Sequence, residues 1–170
     1  MNPWRPATLA PAAAARLADE LLANHWLLCT AESCTGGLIA ATCTDLAGSS
    51  HWFERGFVTY SNAAKIELLG VEAQLIEQHG AVSEAVARAM AAGALAHSRA
   101  QVTIAVTGVA GPSGGTAEKP VGTVWLAWAT PDSVTSELQH FSGDRADVRQ
   151  ATAQHALNRL TELIQRKTPS

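Results

Sequence analysis

The sequence predicts an α/β fold: a three-layer α/β/α sandwich around a mixed sheet, forming a single domain over residues 1–170. Three observations lead there. Helical and strand-like stretches interleave along the chain, the pattern expected when helices cover both faces of a sheet. Two late strand-like runs, Val121 to Ala129 and Val134 to Phe141, meet at Pro131-Asp132, a hairpin signal that makes the sheet mixed. No internal repeat, long linker or composition shift divides the chain, and its length suffices for one sizeable core.

The elements follow in order. Leu9 to Asn24 reads as an amphipathic helix with Leu17, Leu21 and Leu22 on one face. Its Ala-rich start is not read as a signal peptide, because Arg16, Asp19 and Glu20 interrupt it too early. Trp26 to Thr30 is a short apolar strand, followed by the small polar turn Glu32-Ser33-Cys34-Thr35-Gly36-Gly37. A second helix, Leu38 to Leu46, is ended by Gly48, and Phe53 to Thr59 forms the next strand. Asn62 or Ser61 caps a helix that runs through Lys65 to Leu69 and stops at Gly70. Ala73 to His79 gives a helical turn or two, closed by Gly80. Ser83 with Glu84 opens an Ala-rich helix reaching about Ser98. Val102 to Val106 is a β-branched strand, and a glycine-rich loop, Val109 to Lys119, separates it from the hairpin. Asp144 caps a last helix running to about Arg166.

Composition narrows the function. Apolar residues make up 47% of the chain and charged ones 16%, which describes a globular protein. Net charge is −3 and the basic residues form no stripe, so nucleic acid is not the expected partner. No apolar run approaches a membrane span. Cys29, Cys34 and Cys43 form no CxxC pair and no zinc spacing with histidine, so no metal is expected. Such thiols read as reduced, hence cytoplasmic. The Ala-rich helix from Glu84 to Leu95 offers a face for a homodimer, the favoured oligomer.

The chemistry is sought first between Ser50 and Lys65, which flank the apolar run Phe53 to Thr59. Lys65 falls in the first turn of its helix, where the macrodipole disfavours an ammonium. Burial there would lower its pKa; reaching the roughly 7–8 useful to a base requires about 4 kcal/mol of differential solvation. An ordinary solvated lysine is the competing reading. Ser50, in the turn Ala47-Gly48-Ser49-Ser50, is either an exposed nucleophile near backbone N–H groups or a serine that solvates a turn. His51 is a rival base, though a strand would point it away from its neighbour.

Further constellations have similar alternatives. The strand-turn-helix passage from Thr30 to Gly37 would offer N–H groups to an anion, or serve only to pack a helix on the sheet. Within it, Cys34 is either an activated thiol or a buried filler. The loop from Thr107 to Thr116 leads into a strand, so it is no phosphate-binding P-loop; a cover over a cleft suits it better. Arg145 and Arg149, four apart at a helix start, could bind an anion or sit in water.

Five segments, taken in order, resemble one known family. They are Ala31 to Gly37, Gly48 to Lys65, Thr107 to Pro112, Lys119 to Gly122 and Phe141 to Arg145. Together they look like the CinA C-terminal domain family, which includes nicotinamide-nucleotide amidases. The resemblance covers nearly the whole chain, without the N-terminal domain of longer CinA proteins. It implies hydrolysis of the carboxamide of nicotinamide mononucleotide to nicotinate mononucleotide and ammonia, with no cofactor. It maps the serine nucleophile onto Ser50 and the lysine base onto Lys65, with Tyr60 assisting. It implies a substrate pocket lined by Ser33, Thr35, Gly36, Ser49, Thr107, Gly111 and Arg145. Two other outcomes stay open: an amidase with Cys34 as nucleophile, and a non-catalytic nucleotide-sensing module.

Overall fold

The computed structural model describes residues 11–167. Within these residues six helices and five strands follow in the order α1 (Pro11–Asn24), β1 (Leu28–Glu32), α2 (Leu38–Thr44), β2 (Phe53–Val58), α3 (Asn62–Leu69), α4 (Ala73–His79), α5 (Glu84–Ala96), β3 (Val102–Gly108), β4 (Thr123–Thr130), β5 (Ser133–His140) and α6 (Arg145–Lys167). A single 3-10 turn, Ser49–His51, leads into β2. The expected helix and strand sequence is recovered with boundary shifts of a few residues. Leu9 and Ala10, assigned to the first helix, lie outside the described residues.

The strand order is β2-β1-β3-β4-β5. Strands β2, β1 and β3 are parallel, and β4 and β5 complete the sheet as an antiparallel hairpin. The sheet is therefore mixed. The two antiparallel steps also bring β5 back to the direction of β3. The carboxyl ends of β1, β2, β3 and β5 thus lie along one edge, and the loop between β3 and β4 spans that same edge.

Strand alternation divides the core into two halves. On one face, Leu28, Val102, Ile104, Val106, Val124, Leu126 and Trp128 pack against α1, α2 and α6. The buried indole of Trp128 donates to Ala156 O at 3.0 Å, so its N–H is satisfied. On the other face the strands present Cys29, Ala31, Ala105, Ala127 and Ala129. Small residues there let α5 settle close, through Val86, Ala87, Met90, Ala91 and Ala94. The Ala-rich helix expected to form a dimer face therefore uses much of its apolar surface on the sheet.

Candidate active site

The carboxyl edge gathers the chemistry. Glu32 ends β1 and Val58 ends β2, and these two residues are partners in the parallel register. Ser33 follows the first, Thr59 and Tyr60 follow the second, and α3 then carries Lys65 back over the edge. Ser61 caps α3 by accepting from the Ala64 N–H at 3.0 Å. This puts Lys65 in the first turn of the helix.

Lys65 is buried, with 1% of its surface exposed. Its Nζ donates to the carbonyl oxygens of Thr59 at 2.9 Å and Tyr60 at 3.3 Å, and lies 3.1 Å from Ser33 Oγ. Burial lowers its pKa, with the nearby Cys34 acting weakly in the other direction. No carboxylate pairs with it among the described residues. A neutral amine has two N–H donors and one lone pair. The two carbonyls can take the donors, leaving the lone pair for the Ser33 hydroxyl.

Ser50 is elsewhere, and the expected Ser50–Lys65 pair is corrected. The 3-10 turn holding Ser49 and Ser50 precedes β2, beside the start of β1, where Leu28 N donates to Trp52 O at 2.7 Å. Lys65 works at the opposite end of the same strand. Six residues of strand intervene, a separation of roughly 20 Å. Ser50 is exposed, and neither it nor Ser49 lines a cavity with Lys65. His51 shares that turn.

A cavity of about 210 Å³ holds Ser33, Cys34, Tyr60, Lys65, Thr107 and Arg145 among its lining residues. Sequence reasoning did not anticipate Asn62, Ala81 and Val82, which also line it. Thr107 Oγ1 donates to Ala81 O at 2.8 Å, fixing the α4–α5 turn against β3. Arg145 Nη1 donates to Gly111 O at 2.8 Å, and its Nη2 donates to Tyr60 Oη at 3.2 Å. Tyr60 itself is 61% exposed, so this bridge stands at the mouth. Arg145, with Ala110, also lines a second cavity of about 660 Å³, which includes Pro112, Val121, Gly143, Asp144 and Arg149.

The turn after Ser33 is built differently from the expected anion cradle. The Glu32 carboxylate itself occupies the start of α2. Its Oε1 accepts from Ile39 N at 2.8 Å and Thr35 Oγ1 at 2.6 Å, while Oε2 accepts from Ala40 N at 2.9 Å. An internal carboxylate thus satisfies the N–H groups that a substrate anion would have needed. Thr35 is fully buried, its hydroxyl committed to Glu32, and does not line the cavity; its expected substrate contact is corrected. Gly36 supplies a turn with φ +57 and donates its N–H to Ser33 O at 3.0 Å. Cys34 packs into the core, and burial pushes its thiol up to about 12. A thiol so protonated is no neutral-pH nucleophile, which disfavours the Cys34 reading. Among the described residues, no group of three His, Cys, Asp or Glu side chains is placed to hold a metal ion.

Comparison with known proteins gives consistent matches. The family model described as the CinA C-terminal domain matches residues 11–164. A relative from Enterobacter agglomerans, named nicotinamide-nucleotide amidohydrolase PncC, is 58% identical over 138 residues, covering 81% of this chain and 84% of the relative. The protein of the same name from Escherichia coli K12 is 49% identical over 155 residues, covering 90% and 93%. The crystal structure of the competence/damage inducible protein CihA from Agrobacterium tumefaciens superposes with a TM-score of 0.89 at 44% identity, over 94% of this chain and 98% of that one.

Proposed function

The chain belongs to the CinA C-terminal domain family, and from that premise we propose that it is a nicotinamide-nucleotide amidase working through Ser33 and Lys65. The reaction is hydrolysis of the carboxamide of nicotinamide mononucleotide to nicotinate mononucleotide and ammonia. The relatives' names support the substrate. The observation that carries the residue assignment is the buried amine 3.1 Å from Ser33 Oγ, unpaired with any carboxylate among the described residues.

The chemistry follows from that contact. Lys65 takes the Ser33 proton as Oγ bonds to the amide carbon and the carbonyl electron pair moves onto oxygen. The Cys34 and Thr35 N–H groups, which the Glu32 carboxylate does not take, hold the oxyanion. The C–N bond then breaks as the Lys65 ammonium returns its proton to the leaving nitrogen, releasing ammonia. Water next attacks the acyl ester with Lys65 as base, and Ser33 leaves protonated. Tyr60 orients the ring at the cavity mouth or relays a proton, Thr107 shapes the wall, and the Gly111 carbonyl holds Arg145 in place. The reacting ring occupies the smaller cavity, and Arg145 faces the nucleotide's phosphate in the larger one.

A cytoplasmic homodimer is part of the same proposal. The free cysteines support the compartment, and light scattering of the purified protein tests the dimer. The function is tested by ammonia release from nicotinamide mononucleotide without added metal. Wild type should turn over, and Lys65→Ala should lose at least about a hundredfold in kcat while remaining folded. A folded wild type that binds the nucleotide but releases no ammonia would favour the sensing-module reading.

A further inference from the structure

We infer that Arg149 is a positioning residue, converting occupancy of the 660 Å³ cavity by the substrate's phosphate into placement of the Ser33 nucleophile. This role rests on the amidase reading above. Arg149 lines that cavity and is half-buried. Its Nε donates to Cys34 O at 3.2 Å and its Nη2 to Thr35 O at 2.9 Å. Those carbonyls belong to the two residues immediately after Ser33. One guanidinium therefore touches both the nucleophile's turn and the larger cavity.

The electrostatics of the cavity favour an anion. No carboxylate pairs with Arg145 or Arg149 among the described residues. Two acids at the start of α6 are engaged with each other's backbone: Asp144 Oδ1 accepts from Asp147 N at 3.0 Å, and Asp147 Oδ2 accepts from Asp144 N at 2.9 Å. Asp144 also lines the cavity, so two guanidinium groups face one carboxylate, a net single positive charge. A planar fork with five N–H groups still has donors left after two carbonyls. A phosphate monoester binding to them fixes the guanidinium, and through it the Cys34–Thr35 carbonyls. Binding energy from the remote phosphate then appears in kcat, as expected when it is used to order the reacting group.

The test compares ammonia release from nicotinamide mononucleotide and nicotinamide riboside in wild type, Arg149→Gln and Arg149→Lys, with thermal melting as the control for folding. In wild type, the nucleotide should have a kcat at least about tenfold above that of the riboside, and inorganic phosphate should accelerate the riboside. Arg149→Gln should bring the two kcat values within about threefold and abolish the phosphate effect. Arg149→Lys, which keeps the charge but not the fork, should behave likewise and serves if the glutamine variant does not fold. A riboside too slow to detect counts as a large ratio; a variant's loss of kcat for the nucleotide then supports the role, and a rise in KM alone overturns it. The role is also overturned if wild type shows the phosphate effect in KM alone, or if both variants slow the two substrates by the same factor. Wild type inert toward both substrates would instead remove the amidase reading, and this role with it.

Discussion

Lys65 keeps its amine buried, with no carboxylate among the described residues to compensate it, and this affects both stability and rate. Burial depresses its pKa in the folded protein, while the unfolded chain keeps a lysine near about 10.4. Between those values the unfolded state binds the extra proton, so stability rises with pH across that window. Below the folded pKa the wild type must bury an ammonium. Lys65→Met should therefore raise the melting temperature most at acid pH, with the gain shrinking as pH climbs toward the lysine's unfolded value. A gain independent of pH would mean that the amine is not depressed. Turnover should rise with pH as Lys65 loses its proton, giving an acid limb in kcat/KM that tracks the same group. Cys34, with its thiol up at about 12, should leave native activity untouched by iodoacetamide. Inactivation that Cys34→Ala prevents would restore the thiol reading. That Lys65 could be unusual was legible from its place in the first turn of a helix. Which hydroxyl it meets was not, because local spacing says nothing about which strand ends share an edge.

The elements are held by contacts that sequence propensity hides. The α2 helix begins on Glu32, a residue of the preceding strand, and not on a side-chain cap of its own. Glu32→Ala would strand the buried Ile39 N–H, the half-buried Ala40 N–H and the Thr35 hydroxyl, and should cost about 2–4 kcal/mol in denaturant unfolding. A cost below about 0.5 kcal/mol would show that water replaces the carboxylate freely. Gly93, inside α5, reverses the usual expectation. Helix propensity alone favours alanine by about 1 kcal/mol, yet an added Cβ would stand 2.1 Å from Leu69 O at the end of α3. Gly93→Ala should therefore destabilise the protein. Gly56 has a similar reason to be in a strand, since a Cβ there would meet Thr30 Oγ1 at 2.8 Å. Periodicity and caps made the order of elements readable. The sheet face that α5 covers is not legible in the sequence, because small residues carry no sign of the equally small residues they pack against.

At the scale of the molecule, topology decides the site. The strand order β2-β1-β3 is a doubly wound arrangement, and in such sheets ligands bind outside the carboxyl ends of the parallel strands. Ser33, Tyr60 and Thr107 each stand at such an end, the antiparallel hairpin brings α6 and Arg145 to the same edge, and α3 folds Lys65 over it. Ser50 stands at the amino end of β2. The family resemblance was readable from five motifs, but assigning roles within them required the register, since Ser33 and Ser50 are both serines in small-residue turns. The direction of β2 carries the distinction. A residue before a parallel strand and one after it cannot share a cleft at one edge.

Ammonia release by Ser33→Ala and Ser50→Ala, side by side with saturating nicotinamide mononucleotide, bears most directly on this assignment. With Ser33 as the nucleophile, Ser33→Ala should lose at least about a thousandfold in kcat, and Ser50→Ala should stay within about twofold of wild type. A folded Ser33→Ala enzyme that keeps its turnover, or a dead Ser50→Ala enzyme that still binds the nucleotide, would contradict it.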